Sequence, residues 1–535
     1  MASPELVTDN VDASEIEDNE PVLVKKQTLL LMISVMVVAL CGIVYELIIA
    51  AVSSYLIGNS IYQFSITIGL FMFAMGLGSW LTKWINKNLI SKFIMIEITV
   101  ALIGGICSSL LFLMFPYYTL YRPVMFSLII VIGTLVGLEI PLLARILSRS
   151  TSWKHSIANV LSLDYLGALI GSVGFPLLML PMLGLFRSSF AIGLLNISVA
   201  LLAIIVFGKT LQGYWKLLVS AVTVLVLLLV GLFLSESLTK FAEGQMYADN
   251  VIFHKQTEYQ RIVVTHSQRN NDVRLYLDKH IQFASIDEHR YHESLVHPVM
   301  SFPGSRKNVL ILGGGDGMAV REILKYPEVE RITLVDIDPV ITELCATFEP
   351  IRKLNEGALD SDKLVVVNED AFSWLRDYMG EISEQKPAFD RVIIDLPDPH
   401  NEALDKLYSK EFYHIVRQSM SADGYMISQC SSPFFAREVY WCIRTTMEAA
   451  EFNVKSFRIP MVSFGIWGFH ICAASSQPDW SNDIDESMCK FMSNELFESC
   501  THFGKDISRI EMPVNRTLEP KLYSLYEKNL NRKKK

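Results

Sequence analysis

Residues 309–338 constrain the fold of this chain more than any other segment. An apolar run, 309–312, is typical of a buried parallel strand, and Gly313-Gly-Gly-Asp-Gly317 follows it directly. A helix start comes next, and then a second apolar run, 332–335, which ends at Asp336. Glycines after one strand and an acid after the next form the βαβ arrangement that holds a nucleoside.

The glycine pattern also discriminates between nucleoside ligands. Met318 stands where a G-x-G-x-x-G motif has its last glycine, which disfavours a dinucleotide. We therefore expect an adenosine-type ligand without a pyrophosphate. The alternative is a βαβ turn that binds nothing, and the paired acids Asp316 and Asp336 argue against it.

The first half of the 535-residue chain is strongly apolar. Between residues 27 and 235 charges are sparse, and seven runs are long enough to cross a bilayer: 28–50, 61–82, 92–115, 123–147, 160–184, 188–208 and 215–235. This pattern predicts an all-α, multi-span membrane bundle. The acidic segment 1–26 is expected to be a disordered tail without a signal peptide, and residues 236–250 a linker.

Basic residues mark one side of the predicted bundle. They are Lys25, Lys26, Lys83, Lys87, Lys92, Arg145, Arg149, Lys154, Lys209 and Lys216, whereas the alternate loops carry Arg122 and Arg187. The positive-inside rule then makes the N-terminus cytoplasmic. Seven spans would place the C-terminal half outside, although a domain that uses a cytosolic nucleoside should lie inside. Either the span count is wrong by one or the domain faces outward.

The remaining half is predicted to be a soluble α/β domain. Alternating residues in 251–286 predict the hairpins of a small antiparallel β subdomain, 251–300. From 301 to 535 strands and helices alternate, with strands predicted at 309–312, 332–335, 364–367, 391–394 and 424–428. This order predicts a doubly wound, methyltransferase-like Rossmann domain.

Acids follow three of these predicted strands. Asp336, Asp370 and Asp395 stand at strand ends, and Asp398 comes shortly after Asp395. Ligands bind at the carboxyl edge of such sheets, so we expect these acids to share one crevice with Asp316. Each acid alone could instead cap a helix, but a shared cluster repels itself unless a cation or a hydroxyl-rich ligand occupies it.

Overall charge and cysteine spacing limit the classes of ligand and metal that the chain is expected to bind. A net charge of −9 argues against nucleic acid and favours cationic substrates. Eight cysteines are scattered without C-x-x-C pairs or zinc spacing, so no metal site is expected.

Six short motifs resemble, in order, the signature of the spermidine synthases, or polyamine aminopropyltransferases. They are Tyr259-Gln260, Leu277-Asp278 with Gln282, Tyr291-His292-Glu293 with His297-Pro298, Gly313-Gly-Gly-Asp-Gly317, Val335-Asp-Ile-Asp338 and Asp395-x-x-Asp398-Pro399. The resemblance covers residues 250–475. The apolar half is similar to that of bacterial homologues with an N-terminal multi-span region, through Gly137-Leu-Glu-Ile-Pro141 and Leu163-Asp-Tyr-Leu-Gly167.

The resemblance implies transfer of an aminopropyl group from decarboxylated S-adenosylmethionine, a co-substrate, to putrescine, with no prosthetic group. It assigns the following roles: Gln260, Asp336, Asp370 and Ala371 to the methylthioadenosine part, His292 and Asp316 to amine portions, Asp395 to the general base, and Asp398 with Tyr291 to the acceptor. It also favours a cytosolic domain and a multi-pass protein of the cell membrane.

Charge gives Asp316 a selective role in this scheme. Ordinary S-adenosylmethionine carries a carboxylate, which Asp316 would repel, whereas the decarboxylated donor presents only an amine. The same feature argues against the alternative enzyme, an S-adenosylmethionine-dependent methyltransferase. A third reading is a polyamine transporter or sensor without turnover, and the intact acids Asp395 and Asp398 favour catalysis over it.

Four acids lie inside the predicted spans: Glu46, Glu97, Glu139 and Asp164. Such carboxylates usually face a bundle interior, so one hypothesis is a polyamine site or path. The alternative is structural, through pairing with Arg145 or solvation near a span end. Gly76, Gly78, Gly167 and Gly171 are expected to serve helix packing.

The sequence departs from the family pattern at several positions. Asp336 replaces the usual Glu, Ala371 replaces a Gly, and the segment 399–402 lacks a Gly-Pro pattern. No acceptor-contacting Tyr is assigned in 463–469, so the acceptor is less determined than the donor. The sequence also leaves the oligomeric state open, and a homodimer is among the states it allows.

Overall fold

The structure, a computed structural model, describes residues 24–57, 60–115, 117–148, 153–208, 211–244, 247–380 and 388–532. The chain divides into two compact units, 1–246 and 247–535. Residues 1–23 of the predicted acidic tail lie outside the described residues, as do the loop residues Arg149 and Lys209.

The first unit is helical throughout its described part. Its helices are α1 (Lys25–Ile57), α2 (Ser60–Leu81), α3 (Leu89–Met114), α4 (Tyr118–Leu147), α5 (Trp153–Gly174), α6 (Leu180–Phe207) and α7 (Tyr214–Gly244). A π-helical turn, Phe175–Met179, joins α5 to α6, and Gly184 breaks α6 with a φ of 69°. Among the described residues six helices are long and apolar enough to cross a membrane, if Ile157–Phe207 is counted as one.

Helix α7 ends later than the apolar run that predicted it. The helix continues to Gly244, so the first part of the linker predicted at 236–250 is helical instead. Residues 236–243 are more polar than the run before them, but they contain no proline or glycine to stop the helix. Hydropathy located the apolar run. The helix continues beyond that run because no proline or glycine interrupts it before Gly244.

Glycines permit close helix packing in this unit. A Cβ at Gly167 would collide with the backbone carbonyl of Met36, and one at Gly171 would lie 2.5 Å from the Ile43 side chain of α1. Gly78 has a similarly close neighbour in α4. The packing prediction is confirmed for these three glycines and wrong for Gly76, which faces open space.

Two predicted intramembrane acids lie in the interior of the helical unit. Glu97 and Glu139 are fully buried, and their carboxylate oxygens have no hydrogen-bond partner. Arg145 donates to the backbone carbonyls of Thr82 and Ile85. The guanidinium of Arg145 thus bonds to backbone carbonyls and does not pair with Glu97 or Glu139, as the structural alternative had expected.

The second unit begins with a small antiparallel sheet. Its four strands, β1 (Asn250–Gln256), β2 (Arg261–His266), β3 (Val273–Leu277) and β4 (His280–Ala284), pair in chain order. The tight β3–β4 turn places Asp278 and Lys279 at positive φ, and the Asp278 carboxylate accepts the backbone N–H of Arg261.

A seven-stranded sheet forms the body of the second unit. Its strands are β5 (Asn308–Gly313), β6 (Arg331–Val335), β7 (Leu364–Val367), β8 (Phe389–Asp395), β9 (Met420–Gln429), β10 (Asn453–Met461) and β11 (Gly465–Ala473). The order is β10-β11-β9-β8-β5-β6-β7. The first five are parallel, as predicted, and the β10–β11 hairpin adds an antiparallel edge that the prediction did not include.

Helices cover the faces of this sheet. They are α8 (Glu288–Ser301), α9 (Met318–Ile323), α10 (Pro339–Thr347), α11 (Glu349–Arg352), α12 (Ala371–Met379), α13 (Glu402–Asp405), α14 (Lys410–Ser419), α15 (Arg437–Ala449), α16 (Asn494–Cys500) and α17 (Leu522–Arg532). Apolar side chains of β5 point alternately to two buried clusters, one containing Val309 and the other Leu310. The two faces of β5 are thus apolar along the strand.

Candidate active site

One cavity of about 640 Å³ lies at the carboxyl ends of β5, β6 and β8. The residues that the sequence singled out all line it: Gln260, Tyr291, His292, Asp316, Asp336, Asp370, Ala371, Asp395 and Asp398. They come from three sources, namely the small β-sheet, helix α8 and the ends of the parallel strands. The fold thus brings residues that are far apart in the chain to one place.

The glycine turn after β5 forms the floor of the cavity. Gly313 and Gly314 adopt φ of 82° and 68°, which favours glycine. A Cβ at Gly315 would lie 2.7 Å from Oδ2 of Asp336. Because there is none, the backbone N–H of Gly315 donates to that oxygen at 3.1 Å.

A second aspartate supports Asp336. The backbone N–H of Asp338 donates to Oδ1 of Asp336 at 3.0 Å, and the Asp338 carboxylate accepts the Gln260 side-chain amide at 3.0 Å and the Thr257 hydroxyl at 2.8 Å. Burial raises the pKa of Asp336 to about 6, against the lowering effect of its backbone donors. The sequence reasoning gave Asp338 no role, although it stands in the quoted motif.

Asp370 has a different environment. It caps α12 by accepting the backbone N–H of Ser373 at 3.0 Å, and it pairs with Lys406 at 3.0 Å. Its pKa is lowered, because Lys406 and the helix N–H outweigh the effect of partial burial. Ala371 is the first residue of α12 and is buried. Asp370 thus does cap a helix, while it also lines the cavity.

Asp395, the last residue of β8, is held by a tyrosine. Tyr291 of α8 donates through Oη to Oδ1 of Asp395 at 2.6 Å. Burial and the charge of Asp316 raise the pKa of Asp395 to about 6, although the His292 charge opposes them. A carboxylate with this pKa is a good proton acceptor near neutral pH.

His292 supplies a positive charge among these acids. Its Nδ1 lies 2.9 Å from Oε2 of Glu288, and its Nε2 lies 3.8 Å from Oδ2 of Asp316. Arg321 donates to both oxygens of the same Glu288 carboxylate, at 3.1 and 2.9 Å. Burial lowers the pKa of His292, but Glu288 and Asp316 outweigh burial and raise it to about 9. The imidazolium therefore offsets part of the repulsion between Asp316 and Asp395.

Asp398 keeps one oxygen free. Its Oδ2 accepts the hydroxyls of Ser431 at 3.1 Å and Tyr526 at 3.3 Å, whereas its Oδ1 is without a hydrogen-bond partner. Burial raises the pKa of Asp398 to about 6. The unpaired oxygen is itself buried, so the ionised carboxylate is costly unless a cation lies nearby.

Several other residues that line the cavity were not identified from the sequence. His280 of β4 stacks on His400 with ring centroids 4.1 Å apart, and Gln429 donates to the Tyr408 hydroxyl at 2.8 Å. Gln429 ends β9, so its place after a predicted strand was the signal that could have revealed it. His280 and Tyr526 offered no such signal, because only tertiary packing brings them to the cavity.

The site is suited to organic cations rather than to a metal. Asp316, Asp336, Asp395 and Asp398 surround one space, and among the described residues no group of three or more His, Cys, Asp or Glu could hold a metal ion. Carboxylates of this kind bind ammonium and sulfonium groups and accept protons from amines.

Comparison with known proteins agrees with this chemistry. A family model described as the spermine/spermidine synthase domain matches residues 288–482. A polyamine aminopropyltransferase of Leptospira interrogans is 42% identical over 502 residues, which are 94% of this chain and 99% of that protein. Another, from Oceanobacillus iheyensis, is 40% identical over 505 residues, 92% of this chain and 96% of the relative.

Solved structures include a spermidine synthase from Thermotoga maritima. It is 24% identical, with a TM-score of 0.42, and the match covers 48% of this chain and 84% of that one. A spermidine synthase in complex with the transition-state analogue AdoDATO matches with 24% identity, a TM-score of 0.43, and coverage of 48% and 85%.

The acidic cavity therefore belongs to an enzyme of the aminopropyltransferase class. The chain is a member of the spermine/spermidine synthase family, as the identity along nearly its whole length to curated members shows. The donor in this family is decarboxylated S-adenosylmethionine, which is consumed as a co-substrate. The resemblance drawn from six short motifs is confirmed.

Proposed function

We propose that this chain transfers an aminopropyl group from decarboxylated S-adenosylmethionine to putrescine, producing spermidine and methylthioadenosine. The observation that carries the proposal is the position of Asp395. It is held by Tyr291 at 2.6 Å and lines the same cavity as Asp316 and Asp336. A proton acceptor and the acids for a cationic donor thus share one space.

The donor is expected to lie across the ends of β5, β6 and β7. Asp336 would accept the ribose hydroxyls, with Gln260 held beside it by Asp338. Asp370 and Ala371 would contact the methylthioadenosine part at the start of α12. Asp316 would bind the donor's amine, and its negative charge would exclude the carboxylate of ordinary S-adenosylmethionine.

The chemical step is a nucleophilic displacement. A neutral amine nitrogen of the acceptor attacks the aminopropyl carbon bonded to the sulfonium, a carbon–nitrogen bond forms, and the carbon–sulfur bond breaks with its electron pair going to sulfur. The nitrogen proton passes to the Asp395 carboxylate. Tyr291 keeps that carboxylate oriented, and the cavity holds both reactants in line for attack.

The acceptor is expected to use the remaining acids. Asp398 lines the cavity, and its carboxylate would hold one ammonium of putrescine, while His292 helps to orient the groups around Asp316. A compact diamine suits this arrangement, because it presents one amine to Asp395 and one ammonium to Asp398.

We further propose that the first unit anchors the enzyme in the cell membrane as a multi-pass bundle, with lipid as its partner. Outward-facing side chains of α7 are apolar, including Trp215 at 70% and Phe233 at 83% exposure. The segment Ile157–Phe207 has 51 residues, about 77 Å as a helix, against about 30 Å of hydrocarbon. The break at Gly184 divides it into two crossings, which gives seven.

Seven crossings place the N-terminus and the catalytic unit on opposite sides of the bilayer. Membrane fractions that retain the protein after alkaline carbonate extraction would support anchoring, and its release would contradict it. Protease digestion of right-side-out vesicles tests the count. Tags at the N-terminus and the C-terminus should differ in accessibility, and equal accessibility would contradict seven crossings.

The activity is tested with the purified full chain in detergent. Decarboxylated S-adenosylmethionine and putrescine should yield methylthioadenosine and spermidine in equal amounts. Methylated product from ordinary S-adenosylmethionine would indicate a methyltransferase instead. Amine binding without product would indicate a sensor.

A further inference from the structure

The C-terminal helix contributes to the cavity from outside the matched family domain. That domain ends at residue 482, whereas α17 begins at Leu522. Tyr526 and Asn529 on this helix nevertheless line the cavity. Their spacing of three residues puts them on one face of the helix.

We propose that Tyr526 and Asn529 form the end wall of the acceptor site and set the length of amine that it takes. The ligand class is a short, linear α,ω-diamine. The inference rests on the proposed function, because it assigns the acceptor end of the same cavity.

Three contacts fix the helix in place. Leu522 is fully buried in the core of the second unit, the backbone N–H of Tyr523 donates to Oδ2 of Asp405 at 3.0 Å, and Lys528 pairs with Glu438 at 3.2 Å. Asp405 is itself held by the Asn515 side chain. Helix α17 is therefore attached to the folded domain at both of its ends.

Tyr526 acts on the acid that would bind the acceptor. Its hydroxyl donates to Oδ2 of Asp398 at 3.3 Å, and Ser431 donates to the same oxygen. Both hydroxyls thus donate to the same oxygen of the carboxylate and fix its orientation in the wall of the cavity. Beyond this point the phenol ring and the Asn529 side chain fill the space that a longer amine would need.

Two properties of Tyr526 are separable by substitution. Removing the hydroxyl in Tyr526→Phe keeps the ring as a wall but takes one donor from Asp398. Removing the ring in Tyr526→Ala opens the wall. Because Tyr526 helps to hold the Asp398 carboxylate in place, the first change should lower kcat/KM for putrescine about 10-fold. The second should change which amine is preferred.

The experiment measures methylthioadenosine release by the full chain in detergent, with decarboxylated S-adenosylmethionine as donor and either putrescine or spermidine as acceptor. The donor's aminopropyl group then occupies its own subsite, so spermidine must extend towards the proposed end wall. The wild-type kcat/KM should favour putrescine. Tyr526→Ala should shift the ratio of the two kcat/KM values about 10-fold towards spermidine, and Asn529→Ala should shift it in the same direction. Tyr526→Phe should lower kcat/KM for putrescine without raising it for spermidine.

Tyr523→Phe is the matched control, since Tyr523 lies on the same helix but does not line the cavity. It should leave both kcat/KM values unchanged. Wild-type ratios in both Tyr526→Ala and Asn529→Ala would overturn the inference, and so would an equal effect of Tyr523→Phe. Failure of the proposed function appears separately, because the wild type would then release no methylthioadenosine with either amine.

Discussion

The hydroxyl of Tyr291 lies 2.6 Å from Oδ1 of Asp395 and donates to it. This contact joins the first turns of α8 to the end of β8, and it fixes one carboxylate oxygen. The other oxygen, Oδ2, lies beside Gly314, where a Cβ would come within 3.3 Å of it. The carboxylate proposed as the base is therefore held by a side chain at one oxygen and faces the backbone of Gly314 at the other.

Replacing the base should remove turnover and spare donor binding. In Asp395→Asn the side chain cannot accept a proton, so kcat should fall about 100-fold or more. Affinity for methylthioadenosine, measured by calorimetry, should stay within about 3-fold, because the proposal assigns the donor chiefly to Asp336 and its neighbours.

Tyr291→Phe is a milder change at the same contact. It leaves the carboxylate but removes its hydrogen bond, so kcat should lie between those of the wild type and Asp395→Asn. Full activity of Asp395→Asn would show that the proton is accepted elsewhere.

Activity should fall as the pH drops through about 6. Burial and the Asp316 charge raise the pKa of Asp395 to about 6, and the base works only when it is ionised. An aspartate with the ordinary pKa of 3.8 would stay ionised to much lower pH. The logarithm of kcat/KM, measured between pH 5 and 8, should therefore decline below pH 6.

Asp336 and Asp398 have pKa values raised in the same direction, so the decline is expected to be steeper than that of a single group. A profile that stays flat down to pH 5 would contradict the raised pKa of the base.

Asp316 should control which donor is accepted. In Asp316→Asn the repulsion of a donor carboxylate is lost, so binding of ordinary S-adenosylmethionine should strengthen relative to the decarboxylated form, by about 10-fold for one close charge pair. Competition between the two compounds for the wild type and the variant measures the ratio. Equal affinity of the wild type for both compounds would remove this role.

Local patterns were sufficient for much of the fold. The parallel strands β5 to β9 were predicted because each is a short apolar run followed by polar residues, and the acids at their ends were predicted with them. The βα turn at Gly313 carries its own signal, since its positive φ favours glycine. Short-range chemistry of this kind is visible in the sequence.

Long-range contacts were not visible. Lys406 reaches Asp370, and Tyr526 reaches Asp398 from far along the chain, so neither pairing has a local signature. The β10–β11 hairpin was also missed, because the segment 463–469, which leads into β11, was considered only as a source of an acceptor-contacting Tyr. The position of a hairpin in a sheet depends on which strand edge is unpaired in the folded domain. Local sequence does not carry this information.

A methyl group at Gly315 should disturb the donor site without disturbing the fold. Gly315 is not among the residues at positive φ, so its backbone tolerates alanine; its Cβ would come closest to Asp336, with Cγ2 of Ile341 at 3.0 Å. The new Cβ would lie 2.7 Å from Oδ2, which must move. In Gly315→Ala the KM for the donor should rise about 10-fold, because the ribose loses a well-placed acceptor. The midpoint of thermal unfolding without ligand should change little.

Gly380→Ala is the control, since its Cβ would find its nearest neighbour at an ordinary 3.4 Å, the carbonyl of Asp377. That variant should keep the wild-type KM. If Gly315→Ala also keeps it, Asp336 does not hold the donor at this position. If both variants lose activity together with thermal stability, the effect belongs to folding, and the specific displacement of the Asp336 carboxylate is rejected.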